Sequence, residues 1–100
     1  MNIEAVSKTR KVMTRDKLIT SLSEHTAKLD NKSMTFREVK ALYFSLNLEY
    51  IRFCEVMRSA SYFPSKSCDA RMKNCTDDSD FEKALAIVRS RINEITSSVN

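Results

Sequence analysis

The stretch from Thr35 to Pro64, TFREVKALYFSLNLEYIRFCEVMRSASYFP, decides the fold. It opens with a capping box, in which the Thr35 hydroxyl suits the amide of Glu38 and the Glu38 carboxylate reaches back to the amide of Thr35. Met34 and Val39 stand where a hydrophobic staple forms. The next residue that cannot continue a helix is Pro64, which also disfavours helix at the residue before it. The spacing therefore predicts one long helix to about Ser61 or Tyr62. One apolar stripe is Val39, Tyr43, Leu46, Tyr50, Phe53, Met57 and Ala60, at alternating steps of four and three. A second is Phe44, Leu48 and Ile51, on another face. The remaining polar strip, through Glu38, Ser45, Glu49, Arg52 and Ser59, is narrow, and a helix apolar nearly all round is expected to be buried on most sides.

On the N-terminal side, Thr14 is placed to cap a helix from about Arg15 to Asp30, with Leu18, Leu22, His25 and Leu29 on its apolar face. On the C-terminal side, residues 63–78 read as a polar connection. Ser79-Asp80-Phe81-Glu82 reads as a second capping box, opening a helix with Phe81, Leu85, Val88, Ile92, Ile95 and Val99 at heptad spacing. The expected fold is all-α: a single domain over residues 1–100, built as a three-helix bundle with a long central helix. A fourth short helix is expected in 3–13 or in 66–74.

The chain has 100 residues and no glycine, where average usage would supply roughly seven. Glycine-rich phosphate cradles and nucleophile elbows need backbone that only glycine adopts readily, so those chemistries are excluded. With 42% hydrophobic and 30% charged residues, the chain has the composition of a globular protein. No apolar run is long enough to span a bilayer. The first residues, MNIEAVSKTRKVMTRDK, lack the apolar core of a secretory signal, and the expected compartment is the cytoplasm, of a bacterium or of a host cell.

Candidate chemistry is sparse. His25 is the single histidine, and a core role is expected for it, because no pairing with Cys54 or a triad stands out from spacing. Cys68 and Cys75 fall short of a four-ligand zinc set, so no metal or cofactor is expected. They read as thiols, exposed or half-buried in a reducing compartment, with a loop disulfide between them as the option in an oxidising one. No catalytic residue is assigned.

Binding is the expected function. The long helix of ~27 residues spans ~40 Å, while the last helix spans ~28 Å, so some apolar length needs cover from a partner or a second copy. Tyr43, Phe44, Leu48, Ile51, Tyr62 and Phe63 are the candidate contact residues of an adaptor, chaperone or inhibitor that binds another protein, with a homodimer expected and no membrane. The alternative is a nucleic-acid-binding regulator. Net charge is +4, and its excess gathers near the N-terminus in Lys8, Arg10, Lys11, Arg15 and Lys17, which would meet phosphates.

Overall fold

In a computed structural model, residues 13–31, 33–58 and 62–99 are described. Four helices account for most of them: α1 (Arg15–Asn31), α2 (Phe36–Met57), α3 (Lys66–Lys73) and α4 (Phe81–Val99), with a 3-10 turn at Asp78–Asp80 leading into α4. No strand occurs among the described residues. The bundle is the expected one, and the short fourth helix lies in the second of the two expected places; residues 1–12 of the first lie outside the described part.

The caps follow local chemistry. Thr14 Oγ1 accepts the amide of Lys17. At α2 both arms of the box close: the Thr35 amide donates to Glu38 Oε1 at 2.9 Å, and the Glu38 amide donates to Thr35 Oγ1 at 3.2 Å. Hydrogen bonding from Thr35, its backbone amide foremost, favours the carboxylate and holds Glu38 below the usual range of its side chain. At the last helix the cap is Asp77, not Ser79: Asp77 Oδ1 accepts the Ser79 amide, and a 3-10 turn intervenes before α4 begins. An aspartate two residues earlier does the capping work in a tighter turn.

The helix ends differ more. The long helix stops at Met57 rather than at Ser61 or Tyr62. Arg58 takes φ 51°, its amide bonds to Cys54 O, and the chain leaves the helix there. The reason is downstream. Tyr62 and Phe63 pack on Tyr50, each with ring centroids 5.4 Å from it. Continued as helix, Tyr62 would stand about 18 Å further along the axis than Tyr50. With 22 residues in α2 and 19 in α4, the two helices span about 33 and 28 Å, and most of the expected excess length disappears.

The core gathers the inner stripes. Leu18, Leu22 and Leu29 of α1, Val39, Tyr43, Leu46, Tyr50 and Phe53 of α2, and Leu85, Val88, Ile92 and Ile95 of α4 are all buried. α4 packs against each of the other three helices. Its heptad stripe thus finds its partners within the same chain, and the coiled-coil seam expected from its spacing is already filled. By contrast, α2 is not buried on most sides. Phe44 is 62% exposed and Leu48 47% exposed, so its second stripe faces outward, and Met57, at the end of the first, is exposed too.

Two phenylalanines on one helix therefore carry opposite expectations. Phe53→Ala should lower stability by about 3–5 kcal/mol, since a buried ring leaves a cavity. Phe44→Ala should change it by less than about 0.5 kcal/mol in dilute solution. Urea titration followed by circular dichroism measures both, and equal effects would mean that the assigned rotation of α2 about its axis is wrong.

Candidate interaction surface

The outward stripe of α2 forms one wall of a groove of about 630 Å³. Phe44, Leu48 and Ile51 recur at steps of four and three, which keeps them on one face. Asp69, Met72 and Lys73 of α3 form the other wall, and Tyr62 stands at one end. Five of the six candidate contact residues, Tyr43, Phe44, Leu48, Ile51 and Tyr62, line this groove. They differ in what they offer. Tyr43 forms the floor: it is buried, its hydroxyl bonds to Asp69 Oδ1, and its ring meets Phe44 edge-on at 5.7 Å. Phe63 is turned away, onto Arg91. Lys40 is held at the rim by a 3.0 Å bond from its Nζ to Cys75 O and lies over the Phe36 ring.

The groove is supported by a buried cation that the sequence reading missed. Arg91 of α4 is 0% exposed. Its Nε donates to Asn47 Oδ1 at 2.6 Å and its Nη2 to Phe63 O at 2.9 Å, while its Nη1 pairs with Glu94 at 3.3 Å. The guanidinium centre lies 4.9 Å from the Phe63 ring, 5.6 Å from Tyr50 and 5.8 Å from Tyr62. One side chain thus ties α2, the 62–65 segment and α4 together. The only hint in the sequence is a cation one residue before Ile92, inside an apolar stripe.

A second polar cluster joins α1 to α2. Ser21 Oγ lies 2.9 and 2.8 Å from the two carboxylate oxygens of Glu49, and His25 Nε2 lies 2.9 Å from Glu49 Oε1. Glu49, expected on the solvent strip, is instead turned onto α1. The three residue types are those of a hydrolytic triad, but the wiring differs. In such a triad the acid holds one ring nitrogen and the other takes the proton of the serine. Here the Ser21 proton is donated to Glu49, and the same Nε2 meets both residues. Nδ1 is buried and makes no hydrogen bond. No base is left free at the hydroxyl, so the cluster acts as a tie between helices.

The cysteines are buried free thiols. The optional bridge between Cys68 and Cys75 is not formed, and neither thiol is exposed. Cys68 faces α4, near Ile87 O and Glu94, and the Cys75 thiol points back to Arg71 O. The short helix α3 carries Cys68 inward and the turn after it carries Cys75, which loop-like composition did not reveal. Burial pushes the Cys54 thiol up, and a protonated thiol is a poor nucleophile. Among the described residues no group of His, Cys, Asp and Glu is arranged to hold a metal ion.

Of the basic residues, Lys8, Arg10 and Lys11 lie outside the described part. Arg15 donates from Nε to Val99 O at 2.9 Å, a cation at the negative end of α4. Lys17 is exposed beside Asp16 and Glu24. Compared with family models, curated proteins and solved structures, the chain matches none of them.

Arg91→Lys keeps the charge but loses the planar fork, and a single ammonium cannot reach Asn47, Phe63 O and Glu94 at once. We expect a loss of about 2–3 kcal/mol in urea denaturation, against nearly none if charge alone mattered.

Alkaline pH supplies a second test. Burial, with the Asp69 bond adding to it, pushes the Tyr43 hydroxyl well above its ordinary value of 10; burial also raises Tyr50. Above that pH the unfolded chain loses phenolic protons that the folded chain keeps, so stability falls as pH rises past about 10. Tyrosinate absorbance near 295 nm should lag behind free tyrosine and then rise together with loss of helix. Ionisation of all tyrosines while the helices persist would contradict the burial of these two.

Proposed function

We propose that this protein is a non-catalytic interaction module, an adaptor, chaperone or inhibitor that binds another protein through the outer face of α2. The observation that carries this reading is the exposed pair Phe44 and Leu48 on the outer face of α2, beside a groove with basic side chains at its rim. Aromatic and aliphatic side chains grouped in this way on a surface are the feature that recognition sites have in excess. The buried thiols suit a reducing compartment such as the cytoplasm. Among the described residues no helix is long and apolar enough to cross a membrane.

Phe44→Asp with Leu48→Asp tests the reading, because both residues are exposed and the fold should survive the change. Affinity capture from the native cell with wild type and variant as bait should give bound protein that the variant loses. If the variant retains every partner, α2 is not the contact surface. If the bound material is nucleic acid, released by salt and lost when Lys8, Arg10, Lys11, Arg15 and Lys17 become Ser, the regulator alternative replaces this one.

A further inference from the structure

The outward face of α2 is longer than its three apolar residues. Extended in both directions at the same steps, it reads Arg37, Ala41, Phe44, Leu48, Ile51, Glu55, with spacing 4-3-4-3-4. Five of these six are exposed, and Ile51 is half-buried. This is a two-and-a-half-heptad seam on a helix whose opposite seam already fills the core.

The order of residues in this seam has a symmetry. Positions equidistant from residue 46 pair as Arg37 with Glu55, Ala41 with Ile51 and Phe44 with Leu48. An antiparallel copy of the same helix would set each residue opposite its mate. A large aromatic would meet a leucine, the smallest side chain would meet a β-branched one, and each end would carry a pair of opposite charges. A parallel copy would instead oppose Arg37 to Arg37 and Glu55 to Glu55, which is repulsive. A C2 axis requires the same patch to be complementary to itself, and this patch is so in one direction only.

Resting on the reading of α2 as an interaction surface, we infer that its occupant is a second copy of this chain. The two α2 helices pack antiparallel, crossing near Leu46 and Asn47, with Phe44 of each copy against Leu48 of the other. The overlap from Arg37 to Glu55 is about 27 Å, or five turns, which puts the association at the small end of dimer interfaces. Micromolar rather than nanomolar affinity follows. Because the seam of α4 is inside the monomer, the expected homodimer is left with the outer face of the long helix.

Sedimentation equilibrium from about ten to several hundred micromolar chain concentration, with helix content checked by circular dichroism, tests this. Wild type should move from one copy to two over that range. Arg37→Glu alone, or Glu55→Arg alone, sets like charges opposite each other twice in the dimer, and each should weaken it by about tenfold. The double exchange, Arg37→Glu with Glu55→Arg, should restore wild-type association; a parallel pairing sets each residue against its own copy, so neither single exchange would weaken it in the first place. Phe44→Asp should abolish the dimer.

A mass of one copy throughout overturns the inference. If such a monomer still captures another protein through Phe44 and Leu48, the interaction reading stands and only the identity of the occupant fails. A dimer that the double exchange does not rescue overturns the antiparallel register. A dimer indifferent to Phe44→Asp overturns the placement on α2.

Discussion

Arg91 is 0% exposed, and the neighbouring structure is arranged to answer that burial. A guanidinium taken wholly out of solvent is tolerated only where hydrogen bonds and counter-charge replace hydration. Asn47, the Phe63 carbonyl and Glu94 supply these, and three aromatic rings close the remaining sides. Those partners come from α2, from the segment after it and from α4 itself. Their common requirement is that residues 62 and 63 return to the middle of α2. The early stop at Met57 and the positive φ at Arg58 follow from it. In a chain without glycine, that turn falls to an arginine, at a backbone cost of order 1–3 kcal/mol. The aromatic and polar contacts it permits offset the strain.

Much of the architecture was legible because it rests on short-range rules. The box at Thr35 and Glu38, the cap at Thr14 and the stripes of three helices depend on residues within one or two turns of each other. What was not legible depends on which surfaces meet. Glu49 looks like a solvated residue on its own helix; only the approach of α1 gives it Ser21 and His25. Arg91 looks like an interruption in an apolar stripe, because the rings that cover it come from 28 to 41 positions earlier. Cys68 and Cys75 sit in a polar, loop-like stretch, yet the short helix there and the turn after it place both inward. The cap moves from Ser79 to Asp77 because a three-residue 3-10 turn precedes the helix.

The candidate contact residues divide along the same line. Phe44, Leu48 and Ile51 were separable from the core stripe by angle alone, since they lie on a distinct face of α2. Which of the two faces stays open could not be read from hydrophobicity, because both are apolar. The deciding difference is polar. The inner stripe carries Tyr43 and Tyr50, whose hydroxyls have partners in Asp69 and Ser98. It also lies near Asn47, which Arg91 requires. The outer stripe has no polar group that demands a partner from within the chain, so nothing internal pulls it inward.

A small domain has few elements with which to cover a helix, and here they are used on its inner face and its two flanks. α1 is held to one flank of α2 by the Ser21–His25–Glu49 cluster, α4 takes the inner face, the 62–65 segment is held by Arg91, and α3 is tied to the other flank by the bond from Tyr43 to Asp69. Each of these ties is polar and therefore directional, unlike the apolar contacts between them. They leave one sector of α2 outside the bundle. The exposed seam is thus a consequence of how the buried polar groups are satisfied: a fold that turned Phe44 and Leu48 inward would have to leave Tyr50, Asn47 or Glu49 without partners. Rotating α2 to bury the outer stripe costs several hydrogen bonds to buried groups, each about 1–3 kcal/mol when left unmade, and outweighs the transfer of two side chains from water. The apolar surface therefore stays outside the monomer, where contact with another chain is the remaining way to remove it from water.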